Sequence, residues 1–329
     1  MKCTNRNMKR IVTVICILTV FLSSGCGATK NYSFAYDRNR NNSSFSVSAD
    51  TLDGKSLDGF SSSLCVENSD VILESAEITQ AEAVGLFDIN DSRVIYAKNI
   101  HEQINPASIT KILTALCAIK YGNLNDVLTA SENVHIEESG AVLLGVETGD
   151  KMTLDQALYC LMLKSANDVA IMIAEHVSGS VEAFAELMNQ EANSLGATNS
   201  HFVNPNGLTD PNHYTTVYDL YLICNEAVKY DKFVEVLHTT SYNSVYYDKN
   251  QKEKTISIST TNAYLKGEAF APNQVTVIGG KTGTTQAAGS CLLLYSKDTA
   301  GNPYISIVMK SSDRTTLYKE MTEILQEIS

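Results

Sequence analysis

The chain has 329 residues, 44% of them hydrophobic, with 37 acidic against 25 basic side chains and a formal charge of −12. That length and apolar content support one large domain or two small ones around a real core, so the eight cysteines are not the framework of a small disulfide-stapled scaffold. A strongly acidic chain argues against a nucleic-acid partner, whose phosphates call for a basic surface, and says nothing about which small substrate is bound.

At the N-terminus Lys2, Arg6, Lys9 and Arg10 precede an apolar stretch, residues 11–22. The stretch is too short to span a bilayer and has the charge and length of a signal peptide, so export is expected. Ser24-Gly25-Cys26-Gly27 follows and resembles a bacterial lipoprotein cleavage site, in which Cys26 would become the lipid-bearing first residue. Leu22 lies one position further from the cysteine than the common pattern has it, and ordinary signal-peptidase cleavage nearby is the alternative. Two acyl chains on Cys26 would hold the protein firmly at the outer face of the cytoplasmic membrane. Removing residues 1–26 takes four of the 25 basic residues and none of the 37 acidic ones, which leaves a charge of −16. Residues 27–75 are rich in Asn, Ser and Asp without a sustained apolar period, the composition of a flexible tether to a domain over 76–329.

Residues 83–89 and 93–98 flank Asn90-Asp91-Ser92 and are expected to form a hairpin. Pro106 then opens a run, Ile109 to Ile119, that is apolar almost all round and reads as a buried helix. Ser108 and Lys111 stand three residues apart at its head, share a face, and lie at the positive end of the helix. A lysine in a desolvated pocket loses part of its preference for the charged form and can take a serine proton near neutral pH, which arms a nucleophile without a histidine. An SxxK spacing arises by chance about once or twice in a chain of this length, so this single match needs support from elsewhere.

Leu154, Ala157, Leu158, Leu161 and Met162 share one face of a packed helix that ends at Ser165-Ala166-Asn167. Residues 168–177 resume an apolar run that Gly179 stops, so the triplet is a short break between two buried helices, able to aim side chains inward. Ser131-Glu132-Asn133 and Ser241-Tyr242-Asn243 have the same SxN spacing; only the helix-break context favours Ser165. Lys281-Thr282-Gly283 sits in a strand of β-branched residues, with glycines on both sides that suit a closely approached backbone. Taken alone, the triplet is equally a solvated strand end.

Residues 275–280, 290–296 and 304–309 read as three further strands, giving five antiparallel strands, and a last helix carries the stripe Leu317, Met321, Ile324, Leu325 and Ile328. The mostly helical stretch between the second and third strands makes a helical lobe inserted into a sheet lobe, an α+β architecture. Cys117, Cys160 and Cys224 lie in apolar helical runs and Cys291 in an apolar strand, without CxxC or metal-ligand spacing, so buried free thiols are expected rather than disulfides or ligands. The six histidines form neither HExxH nor a cluster, and no metal or cofactor is expected.

SxxK, then SxN, then KTG is the signature set of class A β-lactamases and penicillin-binding proteins. Over residues 80–329 the chain resembles the low-molecular-weight penicillin-binding proteins, the serine D-alanyl-D-alanine carboxypeptidases. The blocks that carry the resemblance are Asn105-Pro106-Ala107-Ser108-Ile109-Thr110-Lys111, Ser165-Ala166-Asn167-Asp168-Val169-Ala170, Phe184 with Met188-Asn189, Leu195-Gly196-Ala197-Thr198-Asn199, His201-Phe202 with Asn204-Pro205-Asn206-Gly207-Leu208, and Gly280-Lys281-Thr282-Gly283-Thr284-Thr285 with Ala288-Gly289.

The resemblance implies a serine β-lactamase/transpeptidase-like fold with its active site between the lobes. It implies that Ser108 attacks the carbonyl between the two terminal D-alanines of a peptidoglycan stem peptide, with Lys111 as base and an acyl-enzyme that water hydrolyses. Ser165 would relay a proton to the leaving amine and Asn167 would hold the substrate backbone. Lys281, Thr282 and Thr284 would bind the terminal carboxylate, and the N–H groups of Ser108 and Thr284 would form the oxyanion hole. β-Lactam antibiotics would acylate the same serine. Many members of the family end in a second, β-rich domain and an amphipathic anchoring helix; with neither present before Ser329, lipid on Cys26 is expected to supply the membrane attachment. Three rivals stand beside this expectation. A β-lactamase shares the acylation step, but residues 204–220 hold no clear counterpart of its catalytic glutamate. A non-catalytic penicillin-sensing or wall-binding lipoprotein would not require Lys111 and Ser165 together. Transpeptidation remains open, although no large extra domain favours it.

Overall fold

The computed structural model describes residues 61–328; the expected signal peptide, Cys26 and tether residues 27–60 lie outside the described residues. In chain order the elements are β1 (Ala83–Asp88), β2 (Arg93–Lys98), α1 (Lys111–Tyr121), β3 (Val127–Thr129), β4 (Lys151–Thr153) and α2 (Leu154–Tyr159). There follow α3 (Asn167–Ser178), α4 (Val181–Ser194), α5 (Val217–Ala227), α6 (Asp231–His238), β5 (Ser241–Tyr247), β6 (Glu253–Ser259) and α7 (Ala263–Lys266). The chain closes with β7 (Thr276–Thr285), β8 (Gly289–Lys297), β9 (Pro303–Ser311) and α8 (Arg314–Leu325).

The five expected strands form one antiparallel sheet in the order β2-β1-β9-β8-β7. Its alternation of side chains feeds two cores: Ala83 and Phe87 of β1 pack with the helical lobe, while Val84 and Leu86 pack with α8 on the opposite face. The stripe of α8 is buried as its spacing requires, with Ile328 just past the helix end. Helix α1 is buried from Lys111 to Ala118, the position that an all-round apolar sequence demands. Strand β7 extends through Thr285 and therefore contains Lys281-Thr282-Gly283. Among the described residues it is an edge strand, with β8 on one side only.

Two features depart from the sequence-based expectations. A second sheet, β3-β4-β5-β6, stands inside the stretch expected to be mostly helical. Its hairpin shows the two-residue alternation of a half-buried strand, with Ser244, Tyr246 and Ile258 turned inward. The tether also gives way to packed chain before residue 76. Cys65 is fully buried, its N–H donating to the Tyr221 hydroxyl at 2.9 Å, its thiol to the Asp88 carbonyl at 3.3 Å, and its carbonyl accepting from the Tyr218 hydroxyl at 2.9 Å. Val71 pairs with Ala97 at the back of β2. Single apolar anchors such as these fill gaps without any period, which is why composition reads them as tether.

Cys65, Cys117, Cys160, Cys224 and Cys291 are buried free thiols, and burial raises the pKa of each, so they are inert packing groups. No described helix is long and apolar enough to cross a membrane.

Candidate active site

A 3-10 turn, Ala107–Thr110, leads into α1 and presents Ser108. Ala107, the residue before the serine, has φ of 46°, in the left-handed region that a side chain ordinarily avoids. Such a residue costs on the order of 1–3 kcal/mol and persists only where its surroundings over-determine it. Here they do. The Ala107 N–H donates to Asn105 Oδ1 at 3.0 Å, and its carbonyl accepts from Thr110 Oγ1 at 2.8 Å. Gly207 presses on the same carbonyl: a Cβ at residue 207 would stand 1.9 Å from the Ala107 oxygen, and its own φ of 82° also calls for glycine. From the sheet side Gly283 lies so close that a Cβ there would come within 3.0 Å of the Ser108 nitrogen.

Lys111 is the first residue of α1 and is fully buried. Its Nζ lies 3.0 Å from Ser108 Oγ and donates to Asn167 Oδ1 at 2.7 Å and to the main-chain carbonyl of Asn206. Burial drives its pKa well below the usual lysine value, the charge of Lys281 pushes the same way, and Asp168 opposes them. A neutral amine has two hydrogens and one lone pair. The two carbonyl oxygens can only accept, so they take the hydrogens, and the lone pair is left for the hydroxyl hydrogen of Ser108.

The break after α2 is a π-helical turn, Cys160–Lys164, ended by Ser165 in the left-handed conformation at φ 64°, ψ 33°. This turns the Ser165 hydroxyl inward, where it accepts from Lys281 Nζ at 3.0 Å. Asn167 opens α3, and its N–H is tied to the Val142 carbonyl at 2.8 Å. The buried carboxylate of Asp168 accepts from the N–H groups of Leu144 at 2.9 Å and Gly145 at 2.8 Å, so α3 anchors the loop whose preceding residues, Glu138 to Val142, line the same cleft as Ser108. The two rival SxN triplets serve elsewhere: Ser131 caps a 3-10 turn by accepting from the Asn133 N–H, and Ser241 begins β5.

The upstream half of β7 is covered by α6, where His238 Nδ1 lies 2.8 Å from the Ile278 carbonyl and Gly279 is pressed against the Leu237 carbonyl. Downstream, Thr284 and Thr285 line the cleft. Lys281 is fully buried, donates to Ser165 Oγ and to the Thr282 carbonyl at 2.8 Å, and burial brings its pKa down to about 7. Among the described residues neither Lys111 nor Lys281 makes a salt bridge. Thr282 Oγ1 is 2.6 Å from Thr261 Oγ1, and Arg314 Nη2 donates to the Thr261 carbonyl at 3.1 Å. The cleft has a volume of about 680 Å³, lined by Ser108, Asn167, Leu208 and Thr284 among others.

Hydrogen bonds therefore link Ser108, Lys111 and Asn167 in one set, and Ser165, Lys281 and Thr282 in another; Thr284 is exposed at the mouth. Four participants carry no sequence-based assignment: Asn105, the Asn206 carbonyl, Thr261 and Arg314. The first two lie within the blocks that carry the family resemblance, but a main-chain acceptor has no residue-type signature. Thr261 and Arg314 reach Thr282 only through the fold.

Residues 70–313 match the model of the D-alanyl-D-alanine carboxypeptidase family. The chain belongs to that family. It is 32% identical over 254 residues to the D-alanyl-D-alanine carboxypeptidase DacF of Bacillus subtilis, covering 75% of this chain and 61% of that protein. It is 28% identical over 237 residues to DacA of Haemophilus influenzae, covering 70% of this chain and 56% of that one, so it spans less than two thirds of the length of these two relatives. A Streptomyces D-alanyl-D-alanine carboxypeptidase is 30% identical over 257 residues, with 86% of its length covered. The crystal structure of a Streptomyces DD-transpeptidase superposes with a TM-score of 0.71 at 26% identity, over 77% of this chain and 98% of that one. The family's fold is the α+β arrangement expected from the order of elements, and the family's enzymes are serine hydrolases.

Proposed function

We propose that the chain is a serine D-alanyl-D-alanine carboxypeptidase that removes the terminal D-alanine from peptidoglycan stem peptides and is acylated by β-lactams. The observation that carries this is the pairing of a buried amine, whose lone pair among the described residues has only the Ser108 hydroxyl to meet, with a second buried lysine that lacks a carboxylate partner among them. Lys111 takes the Ser108 proton as Oγ bonds to the penultimate carbonyl carbon. The oxyanion is met by the N–H groups of Ser108 and Thr284, a donor pair of the kind worth about 3–4 kcal/mol per donor in the transition state. Collapse expels the terminal D-alanine, whose amine takes, through the Ser165 hydroxyl, the proton that Lys111 had gained, so Lys111 is neutral again. Water then attacks the ester and regenerates the Ser108 hydroxyl. Asn167 orients the peptide backbone from the cleft wall, and Lys281 with Thr282 and Thr284 receives the terminal carboxylate.

The Asn206 carbonyl on Lys111, in the segment where a β-lactamase glutamate would be sought, supports a slow-releasing penicillin adduct rather than fast drug hydrolysis. Labelling with a fluorescent penicillin tests the assignment: a covalent adduct with a half-life of minutes or longer is expected, and none in Ser108→Ala. Persistent labelling of that variant would remove Ser108 from the mechanism. Likeness to a solved DD-transpeptidase favours a second use of the same acyl-enzyme, transfer to an amine. Product analysis with a D-amino acid acceptor separates the two.

For location, the basic head, apolar stretch and Cys26 support export and lipid attachment, with the catalytic domain on the outer side of the cytoplasmic membrane. Membrane partition of the wild type, lost in Cys26→Ala, is the expected result; a wholly soluble extracellular wild type would defeat the anchor.

A further inference from the structure

His213 is buried behind the Ser108 turn and has no part in the mechanism above. The loop that carries it grips the start of α1 repeatedly: Thr114 Oγ1 donates to the Pro205 carbonyl at 2.6 Å, Lys111 to the Asn206 carbonyl, and Asn105 Nδ2 to the His213 carbonyl at 3.1 Å. The ring adds a directed link. Val203 N–H, which can only donate, points at Nδ1 from 3.2 Å, so Nδ1 accepts and the ring hydrogen sits on Nε2. Nε2 lies 2.8 Å from Thr110 Oγ1, and Thr110 in turn donates to the carbonyl of Ala107, the strained residue before the nucleophile. The polarity runs one way, from the imidazole N–H through the hydroxyl to the Ala107 oxygen.

We infer that His213 is a positioning residue: acting through Thr110, its neutral Nε2–H form fixes the left-handed Ala107 turn and so holds the Ser108 hydroxyl in line with Lys111. The inference rests on the proposed role of Ser108. Burial keeps the ring neutral by lowering its pKa to about 4, with Asp210 favouring the cation and His201 and Lys111 opposing it. Protonation would cost the Val203 contact, since a charged ring has no acceptor.

The test uses penicillin acylation kinetics of the full chain, separated into drug binding and the covalent step. Thr110→Val keeps the shape and removes the relay; its covalent step should slow about 10-fold or more, as expected for a misplaced reacting group, with binding changed less than about 2-fold. Thr110→Ser should restore the rate. His213→Phe should match Thr110→Val, and the double variant should be no slower than either, the mark of one shared link. Nitrogen-15 spectra of the wild-type ring should show the neutral Nε2–H tautomer at pH 6 and above. Wild-type acylation in Thr110→Val, or a ring that is protonated or carries its hydrogen on Nδ1 at pH 7, would overturn the inference. If His213→Phe does not fold, the Thr110 pair and the spectra still decide. A wild type that takes no label overturns the functional proposal, and the ring tautomer then decides the relay by itself.

Discussion

The turn that carries Ser108 is held from several sides, whereas the end of β7 that carries Thr284 faces open cleft. At the turn, Ala107 is strained, Asn105, Thr110 and Gly207 over-determine it, and Lys111 is fixed by three oxygens. At the strand end, Thr284 is exposed, and among the described residues one edge has no strand partner and the buried Lys281 amine no anion. The difference fits the two tasks proposed for these regions. Chemistry needs reacting atoms fixed before the substrate arrives, while recognition of an extended peptide needs a free strand edge and an unpaired charge that the ligand completes.

The contrast breaks first at Lys111. Lys111→Met should slow acylation by about 10²–10⁴, the span of a lost general base, with little loss in binding of the drug. The wild-type rate should rise with pH as Lys111 loses its proton at its lowered pKa, because only the neutral amine can accept from Ser108. Acylation measured by stopped flow across pH checks both; a Lys111→Met variant within a few-fold of wild type would mean that another group is the base.

At Lys281 the expected loss is smaller and of a different kind. Removing the ammonium leaves a partly buried carboxylate unpaired, on the order of 2–5 kcal/mol, so Lys281→Ala should cut D-alanine release by about 30-fold or more. Amidating the peptide C-terminus should mimic this in the wild type and add little in the variant. Additive losses, measured as D-alanine released from the two peptides, would show that Lys281 does not pair with that carboxylate.

How far the site was legible beforehand follows the same division. The placement of Ser108, Lys111, Ser165, Asn167 and Lys281 was readable because each lies in a short motif whose chemistry depends on residue type, and because helix start, helix break and strand are visible as periodicity. The five-stranded sheet was readable for the same reason. Asn206 was not, since its contribution is a carbonyl oxygen that every residue has. Strands β3 and β4, three residues each, are shorter than any periodic signal, and the β5–β6 hairpin, whose alternation is real, was lost inside a helical stretch. Residues 64–75 read as tether because Cys65 and Val71 are isolated anchors in polar chain.

A side chain at the open mouth should matter less than either lysine. Thr284 is exposed, and its proposed part is mainly a backbone N–H, so Thr284→Ala should slow acylation by less than about 5-fold, the worth of one solvent-accessible hydroxyl contact. Thr282→Val should cost more, because it also breaks the link to Thr261 and through it to Arg314. The reverse ranking in the same acylation assay would move the carboxylate contact outward from Thr282 to Thr284.

The smallest signal involves no change of rate. With a pKa of about 7, Lys281 is mostly neutral at pH 8 in the free protein and mostly charged at pH 6. A bound carboxylate favours the charged form and raises that pKa, so binding should draw in more protons per site at pH 8 than at pH 6. Calorimetry in buffers of different ionisation enthalpy reads this directly, using Ser108→Ala so that a D-alanyl-D-alanine peptide binds without turnover. The amidated peptide should draw in almost none, and Lys281→Met should abolish the uptake for both. Equal uptake by the acid and the amide would place the titrating group away from the carboxylate; Lys111, whose pKa is also lowered by burial, would then be the lysine that senses the ligand.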